Sequence, residues 1–543
     1  MPVNKTNGIA RTHPRTASAL RPFHATAFSV IWSATVVANI GTWMYSAATG
    51  WLMTTLSSDP LTVSLVQVAA SLPIVLFALP AGAMADIFDK RLLLVAFEIM
   101  VTFVSVIFAF LVWSSEVTPV TLLVFTFLIG TCGALTAPAW QSIVPHLVPQ
   151  SDLGAAIAAN SVGINISRAI GPTVGGVLTA SLGIAAPFWI DAVSNLGVIG
   201  ALIWWRPARN TKRLQTEHLG SAVRIGLGHA WHNPNLRSTL WRTLGFALFA
   251  SAYWALLPLV ARNQLEGGPD LYGILLGGIG AGAIGGAFVL PRVKEMLGPD
   301  RLVQAASLGT SIALILFGCA NNVQTALAAS LIAGVSWIAA LSTLNVSAQL
   351  ALPEWVRGRG LSLYITVLFG ALTLGSGLWG AVAASLNLTL AHLIAAAGAI
   401  IVVPLTLRWK LHAGTGADLT PSMHWPPPVT AYDVALDTGP VLVTVEYHIE
   451  PENRDKFLVE LERVGNERRR DGAYRWGLFE DTGESGRFLE TFLLSSWLEH
   501  LLQHERVTKT DRVAQDAAEE FQIKGPPVVT HLIAAIPHDR RAI

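Results

Sequence analysis

The stretch GAMADIFDKR (82–91) places two acids and two cations in ten positions between long apolar runs. Of the 543 residues in the chain, 52% are hydrophobic and only 13% are charged. This composition is too apolar for a water-soluble protein of this length. It indicates a membrane protein whose charges are confined to short connections such as 82–91.

Apolar runs of about 20 residues, long enough to cross a bilayer core, recur between positions 23 and 410. We predict an all-α membrane protein of twelve transmembrane helices in two six-helix halves, 23–205 and 237–410. The most polar connection, 206–236, separates them as a central cytoplasmic loop. The predicted spans are 27–54, 61–85, 92–113, 119–143, 153–180, 187–205, 238–261, 271–291, 301–319, 323–350, 360–384 and 389–407.

The connections alternate between cation-rich and cation-poor. Lys90 and Arg91 lie in one cation-rich connection, whereas the next, SSEVT (114–118), has no lysine or arginine. Cytoplasmic loops carry the excess of lysine and arginine. We therefore expect both termini in the cytoplasm, including a basic N-terminal tail at 1–22, and we expect a multi-pass protein of a bacterial inner membrane.

Weak internal similarity suggests that the halves arose by duplication. QSIVPHLV (141–148) and QLALPEWV (349–356) share Gln, Pro and Val at matching positions. Two equivalent halves suit alternating access to a central site.

The charges of 82–91 have two interpretations. In the first, Asp86 interacts with the N-terminus of a neighbouring helix or with a cation there, in one transporter conformation and not in the other. In the second, Asp86 and Asp89 are solvated loop acids, and Lys90 and Arg91 only fix the membrane topology. The segment resembles the signature of the major facilitator superfamily: a glycine, an acid four residues on, and a basic pair. This resemblance implies a gating role for five residues: Gly82, Asp86, Asp89, Lys90 and Arg91. Asp89 stands where many members have glycine.

SRAIGPTVGG (167–176) lies in the fifth span. Pro172 removes a helix hydrogen-bond donor, while Gly171, Gly175 and Gly176 leave one face thin enough for another helix to approach. Close packing alone would explain the pattern. It is also similar to the Gly-Pro signature of superfamily exporters, which implies outward transport.

Two further segments indicate a particular branch of the superfamily: LLPLVA (256–261) and RGRGLSLYITVLFGALTLGSGLWG (357–380). With the overall plan they resemble the branch of enterobactin-type exporters and transmembrane secretion effectors, over about 23–410. This implies a proton-coupled exporter of a small organic compound such as a siderophore, antibiotic or drug-like metabolite. Span four lacks the arginine found in many proton-coupled drug exporters, so the coupling residues stay open.

Ionisable groups inside a membrane are functional candidates because each costs roughly 2.5 to 3.5 kcal/mol to insert. Three fall within spans: Glu98, Arg168 and Asp191. Arg168 lies about 24 Å along its helix, near mid-membrane, where it can meet an anionic or phenolic substrate or backbone carbonyls. Its depth differs from that of Asp191, so the two are not expected to pair. Glu98 can titrate, snorkel or pair with a cation.

Beyond a Pro- and Gly-containing linker at 411–438, residues 439–543 read as a soluble cytoplasmic α+β domain in the order β-α-β-β-α-β, the ferredoxin-like arrangement. One helix is predicted over about 496–521. The segments RRRDGAYRWGLFED (468–481) and ETFLLSSWLEHLLQHERVT (490–508) resemble the tail domain of some members of this branch. That domain is itself similar, over about 439–535, to dimeric α+β barrels of the antibiotic-biosynthesis monooxygenase type, which implies a homodimer through it.

The candidate residues of this domain are Trp497, His500 and His504; His531 lies in the last strand. His500 and His504 share a helix face, but with no spaced carboxylate or cysteine we predict no metal site and favour packing or surface histidines.

The predicted partners are a small-molecule substrate, the lipid bilayer and protons, with no nucleic acid and no cofactor. A phosphate-binding loop, G-x-x-x-x-G-K-[ST], is absent from the sequence, which disfavours ATP as the direct driver. We predict a transporter and not an enzyme. Two alternatives stay open: an importer, and a tethered oxygenase or ligand-binding enzyme served by the membrane part.

Overall fold

The computed structural model describes residues 20–206, 228, 231–411, 418–425, 428 and 430–535, without the side chains of 79, 83 and 85–87. Most of the predicted N-terminal tail and central loop, and parts of the linker, lie outside this range. The described chain forms a bundle of long helices followed by a small domain built on an antiparallel sheet.

The bundle contains eleven long α-helices in the described part of the chain. They are α1 Thr26–Leu56, α2 Pro60–Ile87, α3 Lys90–Trp113, α4 Pro119–Ile143, α5 Leu153–Leu182, α6 Ala186–Trp204, α7 Pro234–Leu259, α8 Pro269–Gly318, α9 Val323–Leu350, α10 Arg357–Ser385 and α11 Leu388–Thr406.

Ten of these elements are long and apolar enough to cross a membrane. The exception is α5, whose glycines and polar residues dilute its apolar character although it is 30 residues long. The 50-residue α8 is interrupted at Gly298, where φ is 72° and ψ is 169°. Glycine adopts this conformation readily, and the ring of Pro299 further restricts the backbone there. Gly298 thus divides α8 into two arms.

Polar caps explain where several helices begin. Asp59 accepts hydrogen bonds from the backbone of Leu61 and Thr62, and Asn322 and Asn387 cap α9 and α11 in the same way. Side-chain oxygens at this position satisfy backbone N–H groups that the helix leaves unpaired.

The bundle has two ends, which we name by their connections. The far face carries the connections at 57–59, 114–118, 183–185, 265–268, 319–322 and 386–387. The tail-side face carries 88–89, 144–152, the bend at Gly298, 351–356 and the exit toward the C-terminal domain at 407–411.

Helices α1 to α6 pack mainly among themselves, as do α7 to α11. The two groups meet chiefly where α2 packs on α10 and where α5 packs on α8. Two groups joined along two seams leave room for a site between them.

The C-terminal domain contains β1 Val441–His448, α12 Arg454–Arg470, β2 Arg475–Glu480, β3 Arg487–Leu494, α13 Trp497–Arg506, α14 Lys509–Glu519 and β4 Val528–Ile533. Its sheet has the order β2-β3-β1-β4, and neighbouring strands are antiparallel. Alternate residues of β1 are buried, including Val441, Val443 and Tyr447, and they pack with Phe457 and Leu461 of α12.

The single helix predicted over 496–521 is instead two helices. Backbone at Val507 is extended, and Thr508 starts α14 with a capping box in which Thr508 and Asp511 bond each other's backbone N–H groups. A Thr-x-x-Asp pair of this kind begins a new helix. The described part of the linker lies on this domain: Ser422 donates its backbone N–H to Val507 O at 2.9 Å, and Asp418 pairs with Lys509 at 3.2 Å.

Candidate functional site

A cavity lies between the two helix groups, near the middle of the bundle. The cavity is narrow in this conformation, with a volume of about 10 Å³, so it must widen to admit anything larger than a water molecule. Five helices line it. The residues are Trp43 of α1, Arg168 and Pro172 of α5, Trp254 of α7, Leu276, Ile279, Gly280 and Ala283 of α8, and Trp337 of α9.

Arg168 brings a positive charge to this cavity. Its guanidinium lies 5.2 Å from the centre of the Trp43 ring, a cation–π contact. Its Nε is buried and has no hydrogen-bond partner among the described residues, and no carboxylate there forms an ion pair with it. A guanidinium in this state can bind an anionic group, since it offers a fork of N–H donors that matches a carboxylate.

Aromatic rings form much of the remaining wall. Trp254 and Trp337 pack edge to face, with ring centroids 5.5 Å apart. Together with Trp43 they contribute three indoles to the cavity lining. Large rings next to a few polar groups are typical of small-molecule sites.

The predicted glycines of α5 make close helix contacts on two sides. A Cβ at Gly171 or Gly175 would collide with Trp43 or Met44 of α1, and a Cβ at Gly176 would lie 2.4 Å from Pro269 O at the start of α8. Gly273 of α8 makes the reciprocal approach, since a Cβ there would lie 2.6 Å from Pro172 O. These positions need glycine because the helices approach backbone to backbone.

Three hydrogen bonds join the two helix groups in the half of the bundle nearer the far face. Ser71 of α2 and Thr373 of α10 share one at 2.7 Å, and Thr173 of α5 donates to Gly273 O at 3.2 Å. Nearer the far face, Arg262 donates to Thr54 at 3.2 Å. These contacts join the two helix groups between the middle of the bundle and the far face.

The segment 82–91 lies at that tail-side face. Asp89 caps α3 by accepting from the backbone N–H of Leu92 at 3.0 Å. Arg91 donates to the carbonyls of Leu202 and Ile203, both at 2.7 Å, at the C-terminal end of α6. A cation is favoured there because the last helix carbonyls are unpaired and partially negative.

The other members of this segment have fewer described contacts. A Cβ at Gly82 would meet no atom within 4 Å, and Lys90 is the first residue of α3. Asp86 falls in the last turn of α2, and its side chain lies outside the described part of the structure. The gating role of Gly82, Asp86, Asp89, Lys90 and Arg91 stays a prediction.

The two intramembrane acids lie apart from the cavity lining. Asp191 on α6 is 3% exposed and accepts hydrogen bonds from Ser105 at 3.0 Å and Thr42 at 3.4 Å. Glu98 on α3 accepts from Trp140 Nε1 at 3.3 Å. Both carboxylates therefore have neutral donors, and neither forms an ion pair with Arg168 within the described residues.

The tail-domain candidates form one cluster. Trp497 packs against His500, with ring centroids 5.2 Å apart, and His500 lies 4.8 Å from His504. His531 on β4 completes the group at 4.6 Å from His500.

No sequence pattern distinguished the three tryptophans of the cavity from the others. The chain has 18 tryptophans, and an indole on an apolar helix looks the same whether it faces lipid, a neighbouring helix or a cavity. Only a charge such as Arg168 is unusual enough in a span to stand out.

Residues 17–539 match the profile of the family described as transmembrane secretion effector, MFS_3. The match extends beyond the 23–410 region of the predicted resemblance and takes in the C-terminal domain. That domain's separate resemblance to monooxygenase-type barrels stays a prediction.

Relatives point the same way. The staphyloferrin A transporter of Staphylococcus aureus is 25% identical over 339 residues, covering 62% of this chain and 84% of the relative. The enterobactin exporter EntS of Escherichia coli is 25% identical over 306 residues, covering 56% of this chain and 71% of the relative.

Among solved structures, a bacterial homolog of the human lysosomal transporter Spinster is similar in fold. Its TM-score is 0.55 at 14% identity, and the alignment covers 72% of this chain and 95% of that one. The family and these relatives are transporters and not enzymes. The resemblance indicated by GAMADIFDKR is therefore confirmed: the chain belongs to the transmembrane secretion effector family of the major facilitator superfamily and is a multi-pass membrane transporter.

Proposed function

We propose that this transporter exports a small organic anion by alternating access through the cavity around Arg168. One observation carries the proposal: a guanidinium without an ion-pair partner in the described chain lines a tryptophan-walled space between the two helix groups. A carboxylate or a phenolate would satisfy the guanidinium, and flat rings would pack on the indoles.

The substrate class follows from the same chemistry. The two relatives are named for staphyloferrin A and enterobactin. A siderophore, or another compact metabolite with acidic and ring groups, fits a site of one cation and three indoles. Antibiotics and other drug-like compounds with these groups belong to the same class.

We propose twelve membrane crossings, counting each arm of α8 and the glycine-rich α5 as one. Both termini and the tail-side face then lie in the cytoplasm of a bacterium, as the lysine- and arginine-rich connections suggest. In this orientation the contacts between the two helix groups lie nearer the outer face, and we propose that the cavity opens to the cytoplasm, the side where an exported compound is loaded. The Spinster homolog is described as inward-facing and unoccupied.

Proton exchange is the proposed energy source. A charge moving across 100 mV gains about 2.3 kcal/mol, a useful driving force for export. Glu98 and Asp191 are the candidate proton carriers because each is an acid in a helix that we place in the membrane. Their neutral hydrogen-bond donors, Trp140, Ser105 and Thr42, are compatible with either protonation state.

The C-terminal domain is proposed as a ferredoxin-like cytoplasmic module that dimerises or senses a ligand. Its contact with the bundle supports a role beside transport: the Arg506 guanidinium lies 4.6 Å from the ring centre of Trp355, in the 351–356 connection. The alternative enzyme role predicts oxygen consumption with a phenolic substrate.

Export is testable with metabolite profiles of cells that carry or lack the gene. Deletion cells should accumulate an anionic organic compound inside and release less of it, and complementation should reverse both changes. Inside-out vesicles should then take up that compound when a proton gradient is imposed. A compound whose uptake falls in the deletion cells would instead identify an importer.

Asp86→Asn is expected to slow transport while leaving membrane insertion intact, because it removes the charge proposed to bias the conformational equilibrium. We expect about a 5- to 150-fold effect, the range of a coupling energy of 1 to 3 kcal/mol. Transport rates in vesicles should be compared at equal protein abundance.

Glu116→Gln is the control for this experiment, and its transport rate should match that of the parent protein. It removes an exposed acid from the 114–118 connection on the far face, outside the gating motif. Equal rates for Asp86→Asn and the parent protein would exclude the gating role.

A further inference from the structure

Three histidines from two elements converge in the C-terminal domain. His500 and His504 lie one turn apart on α13, and His531 lies on β4. One ring nitrogen from each can be chosen so that all three lie within 4.8 Å of one another. In a tetrahedral site with metal–nitrogen bonds of about 2.0 to 2.1 Å, two such nitrogens lie about 3.3 Å apart. Modest side-chain rotations would close this difference.

The ring of His500 is buried without hydrogen bonds to its nitrogens. The residue is 2% exposed, and neither of its ring nitrogens has a hydrogen-bond partner among the described residues. Burying a polar group without a partner is unfavourable, and such groups in native proteins usually have a bound water or ion as a partner. An ion between the three rings would supply a partner for one nitrogen.

Arg468 lies near the histidine cluster, and its positive charge, which would repel a metal ion, is compensated by a carboxylate. Its Nε donates to Glu490 at 3.3 Å, and Glu490 is fully buried. Its guanidinium also lies between the rings of Trp425 and Phe492, at 4.7 and 5.0 Å from their centres.

The geometry points to a metal site in which His500, His504 and His531 bind one divalent transition-metal ion, such as Zn²⁺ or Co²⁺, and leave a fourth position for water or a small ligand. Imidazole suits these ions, and a three-histidine set with an open position is an established arrangement for zinc. The proposal goes beyond transport and does not depend on which compound is exported. Sequence spacing missed the site because His531 follows His504 by 27 residues and joins it only through the packing of α13 against the sheet.

The test uses the full-length protein in detergent, stripped with a chelator and titrated with Co²⁺. We expect one ion per chain and the strong visible absorption of four-coordinate Co²⁺, which Zn²⁺ should abolish by competition. His504→Gln and His531→Gln, both at partly exposed positions, should each weaken Co²⁺ binding by more than about 100-fold. Loss of a residue that only hydrogen-bonds to a metal ligand weakens binding by about 10- to 100-fold, so a larger effect indicates direct coordination.

His448→Gln is the matched control. This histidine lies on the same domain, 3.6 Å from Glu446 and 3.7 Å from Glu484, and outside the cluster. Its variant should bind Co²⁺ like the parent. Unfolding temperature and elution volume should establish that each variant is folded. Absence of stoichiometric binding by the folded parent, or unchanged affinity in both cluster variants, would overturn the proposal.

Discussion

Arg168→Ala is expected to reduce transport of the anionic substrate by about 30-fold or more at equal membrane abundance. Truncating one partner of a buried, hydrogen-bonded charge pair costs about 2 to 5 kcal/mol, and each 1.4 kcal/mol is a factor of ten. In the parent protein the substrate would be that partner, because the described residues offer the guanidinium no carboxylate. Rates in inside-out vesicles over a range of substrate concentrations measure the effect.

Arg168→Lys separates charge from geometry. Lysine keeps the positive charge but lacks the planar fork, so we expect a smaller loss than with alanine. A neutral analogue of the substrate should be transported by the alanine variant at close to the parent rate. If the alanine variant moved the anionic compound as fast as the parent, Arg168 would have no role in binding it.

Charge and hydropathy made the main features of the bundle predictable. Apolar runs separated by charged connections marked the helices, and counting 1.5 Å per residue from the start of its span placed Arg168 near mid-membrane. In the structure Arg168 does line the central cavity. Arg168 was recognisable because a charge inside a span is costly and therefore rare, while its depth in the membrane and its role in transport stay predictions.

Contacts between distant segments were not predictable in the same way. The side chains of Trp254 and Trp337 meet at 5.5 Å only because α7 packs near α9, which no local pattern encodes. The same holds for His531 and the pair on α13. The break before α14 was different, since Thr508 and Asp511 form a local signal that the amphipathic pattern of 496–521 obscured.

Gly176→Leu is expected to hold the far face open and to reduce transport by about tenfold or more. A Cβ at Gly176 would lie 2.4 Å from Pro269 O and 3.0 Å from Gly273 Cα, so α5 and α8 could no longer approach as they do here. Overpacking of this kind costs about 1 to 3 kcal/mol. The cost applies only when the far face is closed, so the equilibrium shifts toward the opposite state by about 5- to 150-fold.

A disulfide across the other seam reports the same equilibrium independently of transport. The hydroxyls of Ser71 and Thr373 lie 2.7 Å apart, so cysteines at these positions should cross-link when the far face is closed. The two cysteines are introduced into a variant that carries Cys132→Ala and Cys319→Ala, because these substitutions remove the chain's two native cysteines. Adding Gly176→Leu should lower the cross-linking yield, because both seams join the same two helix groups.

Gly197→Leu on α6 is the matched control, since a Cβ there meets no atom within 4 Å. It adds the same side chain to a membrane helix without separating α5 from α8, so cross-linking and transport should stay near the parent values. Equal cross-linking in the Gly176→Leu and Gly197→Leu backgrounds would mean that the α5–α8 contact does not control closure. If cross-linking fell while transport persisted, closure of the far face would not limit the transport cycle.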